Sequence, residues 1–430
     1  MKKLYNVIIL GSGGRESAFA WSISQSPKLQ NLYCVPGNPG TAEIAQNIDA
    51  DINDFAKIAA IAQEVSADII VTGPEEPLVR GIRDFFGEHP TLSRIMFIGP
   101  CKRGALLEGS KEWAKEFMAR HKIPTAPFKS FKSDQTEEAV SYIKTLTPPY
   151  VLKADGLAAG KGVIILNSEQ EAVDEVKVML DGKFGKASER VVIEEFLSGL
   201  ELSVFILTDG ENYILLPEAK DYKRVGDGDS GPNTGGMGAV SPVFFADQKF
   251  MEKVEKKIIM PTINGLKSEK IPYKGFIFFG LINCKGEPFV IEYNVRMGDP
   301  ETEAVLPRIK SDLLGHLLAA AKGELAGEKV VISEETSMTG IAVSGGYPGD
   351  YAKGYRIDGL ENVGNALLFH SGTKLSSEGV VTAGGRVLAV TVLGDGVANT
   401  REKLYKSMEM IHFKDIYFRK DLGIDLLENI

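Results

Sequence analysis

The chain has 430 residues, of which 43% are hydrophobic and 25% charged, and a formal net charge of -9. That length leaves room for about three domains with buried cores of their own, and the composition is that of an ordinary globular protein. The negative balance argues against a general nucleic-acid or membrane surface, yet it permits a local basic pocket for a small phosphorylated ligand. Cys34, Cys101 and Cys284 stand far apart with no CxxC pair. Neither a disulfide framework nor a zinc site is expected, and a reducing compartment, the cytoplasm, is the natural location.

In chain order, MKKLYNVIIL begins like a signal peptide but runs into GSGGRE without a small-residue cleavage site, so its apolar run, Tyr5 to Leu10, reads as a first buried strand. Short apolar runs recur at Asn31 to Val35, Asp68 to Thr72 and Ile95 to Ile98, each ending in a Gly/Pro loop, with helical stretches between them. This alternation predicts a parallel α/β domain over residues 1–105, with ligands beyond the C-terminal ends of its strands. The helical pattern SKEWAKEFMARHK follows and stops before Ile123-Pro124. YVLKADGLAAGKGVIIL reads as two strands around a Gly-rich loop, SEQEAVDEVKVML as a helix and ERVVIEEFL as a strand. Together they suggest a small inserted lobe of strands and one helix over 124–192. Two hairpins are expected in the next part, ELSVFILTDG with NYILLPEAK, and FIFFGLINCKGEPFVIEYN around a Lys-Gly turn. Between them, DYKRVGDGDSGPNTGGMGAVSP carries six glycines in twenty-two residues. It is too polar for a core strand and too broken for a helix. The tail, 330–430, alternates short strands with Gly turns and ends in the helical run TREKLYKSMEMI. No stretch has the apolar length needed to span a bilayer.

Several of these segments can carry chemistry. GSGGRE lacks the third glycine of a dinucleotide fingerprint, because Glu16 stands there. What survives is a strand, a Gly loop and a helix start whose free N–H groups can bind one phosphate. Asn38-Pro39-Gly40-Thr41 and Gly73-Pro74-Glu75 end neighbouring strands, so three such loops should meet at one rim. GLAAGKG departs from Walker spacing at Asp155 and Gly162, but it can act as a Gly-rich flap over phosphates, with Lys153 on the preceding strand as a point charge. In VIEYNVRMGDPE, Glu292 and Asn294 are two apart on a strand and face one side. One carboxylate and one amide suit Mg²⁺, which takes few protein oxygens and completes its shell with phosphates and water. Arg296 is the next residue of the same alternating set. EEFLSGLELS can offer backbone groups to an adenine edge, with Glu201 for ribose hydroxyls.

LEGSK, KADGLAAGKGV, EEFLSGLE, DYKRVGDGDSGPNTGGMGAVSP and EYNVRMGDPE, in this order, resemble the glycinamide ribonucleotide synthetases, ATP-grasp ligases of purine synthesis. The likeness runs from GSGGRE and NPGT to LFHSGT and GGRVLAVT. It implies a multidomain α/β and α+β chain: the N-terminal domain, a central ATP-grasp domain (106–123 and 193–329), the 124–192 lobe as its lid, and a C-terminal mixed domain. It further implies ATP with Mg²⁺ or Mn²⁺, and glycine and 5-phosphoribosylamine as substrates, with no nucleic acid or membrane and a monomeric chain.

By motif position, Lys111, Lys153, Gly156, Gly160 and Lys161 are implied at the ATP phosphates. Glu194, Glu195, Leu197 and Glu201 are implied at adenine and ribose, and Glu292 and Asn294 at the metal. Arg296 would steady the transferring phosphoryl group. Asp221, Lys223 and the backbone at Asn233, Thr234 and Gly235 would face glycine and phosphoribosylamine. Gly13, Gly14, Arg15, Glu16, Asn38, Pro39, Gly40 and Thr41 would hold the sugar phosphate, and Pro74, Glu75 and Asp299 are implied as further substrate contacts.

The chain has Ser17, Tyr222 and Met297 where the family commonly carries GREH, DHKR and RFGDPE. The first two changes remove histidines, so no proton transfer is assigned at those positions. Three rival readings remain: an ATP-grasp ligase for another acid and amine, a hydride-transfer enzyme, which Glu16 disfavours, and a nucleotide sensor without turnover.

Overall fold

A computed structural model describes residues 4–157 and 162–427. Five parallel strands form the N-terminal sheet in the order Met96–Pro100, Ile69–Thr72, Tyr5–Gly11, Leu29–Pro36, Gln46–Asn47. Tyr5–Gly11 lies mid-sheet and its Val7 to Leu10 are fully buried, which is why its sequence is a continuous apolar run rather than an alternating one. The helices Gly14–Ser24 and Phe55–Glu64 follow its first two Gly/Pro loops.

The sheet does not end at Met96–Pro100. The twelve-residue strand Tyr273–Cys284 adds antiparallel through Tyr273↔Pro100 and continues into Leu200–Thr208, Tyr213–Leu215 and Glu287–Asn294, making nine strands among the described residues. The junction needs glycine on both sides, since a Cβ on Gly275 would stand 2.8 Å from the Gly99 nitrogen. Lys285-Gly286, with φ of +54° and +86°, closes the Tyr273–Cys284/Glu287–Asn294 hairpin in a two-residue turn.

A separate four-stranded antiparallel sheet, ordered Phe128–Lys132, Arg190–Glu195, Tyr150–Ala154, Val163–Leu166, has its own core around Phe131, Leu152, Val176, Met179 and Ile193. Two helices cover it, not the single one expected: Thr136–Ile143 joins Glu169–Leu180. Its strand Arg190–Glu195 extends three residues past 192.

A five-stranded sheet runs Lys220–Asp221, Gly238–Ser241, Thr336–Val343, Arg386–Gly394, Leu367–His370, with the helix Gly396–Met408 packed on it. The Gly-rich run is therefore more structured than its composition suggests. It holds the hairpin Arg224–Gly226/Ser230–Asn233, and Gly238–Ser241 is a wholly buried strand paired with Thr336–Val343. Among the described residues no helix is long and apolar enough to cross a membrane.

Candidate active site

Residues 292 to 294 pair in regular register with 280 to 278, and the irregularity lies before them, so Glu292 and Asn294 share a face. Glu292 lines a small cavity with Glu201, Asp221 and Lys223. Neither its carboxylate nor the buried amide of Asn294 takes a hydrogen bond among the described residues. Two oxygen-bearing groups left uncommitted on one strand face suit a hard divalent cation whose remaining ligands come from phosphate and water. No cluster of three His, Cys, Asp or Glu that could hold a metal by protein alone occurs among the described residues.

Lys111 and Lys153, the two lysines expected at the phosphates, lie beside this pair. Ser110 caps the helix Lys111–Arg120, accepting from the Trp113 N–H at 3.1 Å and donating to Asp155 at 3.0 Å. That fixes Lys111, whose Nζ donates to the Gly156 carbonyl at 3.3 Å. Burial lowers the Lys111 ammonium's pKa, and nearby Glu292 opposes the shift.

Lys153 lies on Tyr150–Ala154 with its Nζ 3.0 Å from Glu194 Oε1, and Lys115 Nζ reaches Glu194 Oε2 at 2.8 Å. Glu194 is nearly fully buried. Burial opposes its ionisation, but Lys153 and Lys115 outweigh that and hold it below the usual carboxylate range. Lys115, pushed down to about 8 chiefly by burial, was missed in the sequence, although it lies one helical turn past Lys111.

The predicted adenine contacts divide. The Glu194 side chain is engaged by the lysines, and the Glu195 N–H donates to the Pro127 carbonyl at 3.0 Å. Leu197 lies in the connector beyond, half-buried. Gly156 packs on its own lobe, where a Cβ would meet Ala187 Cα at 3.0 Å. Gly160 and Lys161 lie outside the described residues.

On the other flank, Lys223 sits among carboxylates, 3.0 Å from Glu201 and 3.8 Å from Asp221. Burial lowers its pKa, but Asp221, Glu201 and Glu292 raise it well above the usual value. Glu301 is also buried here, accepting from Ser203 Oγ at 2.9 Å, and is pushed up to about 7 by burial and then by Asp221.

Arg296 corrects the alternation read from sequence. The strand ends at Asn294 because the Val295 N–H turns away to Glu108 Oε2 at 2.8 Å, so Arg296 stands in a bend. Its guanidinium bridges Glu108 at 2.7 Å and Glu75 at 3.3 Å. Burial, the largest influence on Glu108, pushes its carboxyl up to about 7.

The three N-terminal loops do meet at one rim, but their groups are less free than expected. The Gly13 N–H donates to Glu16 Oε2 at 2.6 Å, and Glu16 Oε1 accepts from Arg15 Nε at 2.6 Å. Glu16 thus fills the Gly-loop mouth where a dinucleotide's pyrophosphate would approach. The Asn38 amide donates to the Ser12 and His370 carbonyls, both at 2.8 Å, and to Ser17 Oγ at 2.9 Å. It braces the N-terminal loop to the C-terminal sheet. Gly40 packs on His370, and the Thr41 N–H donates to Asn38 Oδ1 at 3.0 Å. Pro39 and Pro74 are half-buried beside them.

Arg386 was not predicted. It reaches the Gly235 carbonyl at 2.6 Å and Asp299 Oδ1 at 2.9 Å, joining the Gly-rich run to the GDPE turn. Thr234 Oγ1 closes that run's hairpin on the Lys223 carbonyl at 2.9 Å, beside the half-buried Asn233. Gly14 packs against Glu303, which is fully buried with neither carboxylate oxygen hydrogen-bonded among the described residues.

Fold and site together define an ATP-grasp ligase. The chain superposes at TM-score 0.70 on the biotin carboxylase domain of a Hydrogenobacter thermophilus 2-oxoglutarate carboxylase, at 17% identity, covering 97% of this chain and 92% of that one. Models of three phosphoribosylglycinamide synthetase domains match it: the N domain over residues 5–108, the ATP-grasp (A) domain over 109–302 and the C domain over 337–425. The chain belongs to the phosphoribosylglycinamide synthetase family. It is 44% identical over 429 residues to phosphoribosylamine–glycine ligase of Escherichia coli K12, covering 98% of this chain and 99% of that protein. The Vibrio cholerae ligase is likewise 44% identical over 424 residues, with 97% of each chain covered. The crystal structure of the Thermotoga maritima ligase superposes at TM-score 0.85 and 35% identity, covering 97% and 99% of the two chains.

Proposed function

We propose that this chain joins glycine to 5-phosphoribosylamine at the expense of ATP, through glycyl phosphate, as an early step of purine synthesis in the cytoplasm. In the first step an oxygen of glycine's carboxylate attacks the γ-phosphorus, the bond to ADP breaks, and glycyl phosphate forms. In the second, the amine of phosphoribosylamine attacks the acyl carbon, the carbon–oxygen bond to phosphate breaks, and the amine's proton leaves with phosphate or to water. No enzyme nucleophile is required, because phosphoryl transfer rests on positioning and charge stabilisation.

Lys111 and Lys153 take the ATP phosphates, with Gly156, Gly160 and Lys161 as further phosphate contacts. Backbone at Glu195 and Leu197 borders adenine, and Glu201 takes a ribose hydroxyl. Glu194 acts through Lys153, whose ammonium it orients. A magnesium or manganese ion held by Glu292 and Asn294 supplies positive charge to the phosphate oxygens when bound. Arg296, held by Glu108 and Glu75, steadies the transferring phosphoryl group. Asp221, Lys223 and the 233–235 backbone face the acid and the amine. The Gly13–Glu16 and Asn38–Thr41 loops hold the sugar phosphate, Arg15 carrying the charge and Asn38 the loop's shape, with Pro74, Glu75 and Asp299 on the substrate side beside them.

The observation that carries this reading is the uncommitted Glu292/Asn294 face beside the half-buried Lys111 and the buried Lys153. ADP release by the purified protein should require glycine and phosphoribosylamine together. Release with another acid and amine, but not this pair, would reassign the substrates, and no turnover with any pair would leave a sensor.

A further inference from the structure

Past the helix Gly396–Met408 the chain runs back across the Gly-rich segment. Alternation along that segment divides its side chains between two directions. Asp221 and Lys223 point to Glu201 and the cavity. Lys220 and Tyr222 point the other way, to residues 419–425. Lys220 pairs with Asp425, while the Tyr222 hydroxyl donates to Asp425 Oδ1 at 2.7 Å and accepts from the Gly423 N–H at 2.9 Å.

The tip of the Arg224–Gly226/Ser230–Asn233 hairpin is held by the same strip. The Gly228 N–H donates to Asp421 Oδ2 at 2.8 Å, and the Lys420 N–H donates to Asp227 Oδ1 at 2.9 Å. At the centre is Arg419, only 1% exposed. Its guanidinium grips Asp421 with two nitrogens at 2.7 and 2.6 Å. The third nitrogen donates to Asp229 at 2.7 Å and to the Arg224 carbonyl at 3.1 Å, and the carbon lies 5.1 Å from the centre of the Tyr222 ring.

A buried guanidinium is tolerated only when its donors are matched, and its planar fork fixes the geometry of what it holds. The strip is itself anchored: Arg401 Nε donates to the Leu422 carbonyl at 3.1 Å, and the Tyr405 hydroxyl to the Arg419 carbonyl at 3.1 Å. These contacts tie the hairpin's strained tip, with Gly228 and Asp229 both at positive φ, to the helix Gly396–Met408 on the C-terminal sheet.

We propose that residues 419–425 form a strap, with Arg419 as its central positioning residue, that grips the back of the 220–229 segment and thereby aims Asp221 and Lys223 at the acid and amine substrates. The inference rests on the reading that this segment faces those substrates. Arg419 touches no reactant and acts through the loop.

The test compares Arg419→Gln, Asp229→Ala and Lys223→Ala in the full-length protein, by steady-state kinetics and amide hydrogen exchange. Arg419→Gln should raise the KM for glycine or phosphoribosylamine about tenfold and speed exchange over 224–233, with the KM for ATP unchanged. Arg419→Lys should not rescue it, because an ammonium cannot span Asp421 and Asp229. Asp229→Ala breaks the same bridge from its exposed side and should give a smaller shift in the same direction, about threefold; it reads the bridge even if Arg419→Gln folds poorly. If Lys223→Ala raises these KM values while the Arg419 and Asp229 variants leave KM and exchange unmoved, the strap is overturned and the substrate reading stands. If Lys223→Ala also leaves KM unmoved, the loop does not face the substrates, and both fall.

Discussion

The Glu292→Ala, Asn294→Ala double variant is expected to lose about 10³-fold in kcat while unfolding within about 1 kcal/mol of the parent. The two effects separate because neither side chain has a hydrogen-bond partner among the described residues. Removing them strands no buried donor or acceptor, so little stability is lost. Catalysis should suffer because the divalent cation loses its protein ligands and the phosphate charge falls to the lysines and Arg296. Lys111 should suffer too. Its charge is opposed by burial and supported by Glu292, so losing the carboxylate lowers its pKa further. Raised Mg²⁺ should restore part of the activity. A double variant with parental ATP- and glycine-dependent turnover would remove this pair from the metal.

Lys153→Ala is expected to lower kcat/KM for ATP by about 10²–10³-fold. The contact that makes Lys153 useful also protects the fold in its absence, since Glu194 keeps Lys115 at 2.8 Å and is not left as a lone buried charge. The stability loss should stay below the about 3–5 kcal/mol typical of breaking a buried pair. Circular-dichroism melts beside kinetics check both halves. Unchanged ATP kinetics would take Lys153 away from the phosphates.

What the sequence made legible follows from how local each signal is. The parallel strands near the N-terminus announced themselves as apolar runs between Gly/Pro loops, and Tyr5–Gly11 and Ile69–Thr72 lie within a residue of those runs. The Glu292/Asn294 face was readable because period-two geometry needs no partner to be known. The misses share a different cause, contacts distant in sequence. Thr136–Ile143 buries only Ala139, Val140 and Ile143, too few for a clear helical period. Arg296 leaves the strand because of Glu108, 187 residues from the Val295 N–H it captures. Asn38 looked free for a phosphate until its amide met the His370 carbonyl, 332 positions along the chain. Gly238–Ser241 reads as loop, yet it is a core strand because Thr336–Val343 lies beside it.

Glycine labelled with ¹⁸O in its carboxylate, supplied with ATP and phosphoribosylamine, tests the central claim most directly. A path through glycyl phosphate transfers one labelled oxygen to inorganic phosphate in each turnover, read by mass spectrometry of the released phosphate. Ligation that proceeds with unlabelled phosphate would contradict the acyl-phosphate route and the roles assigned to Arg296 and the metal pair.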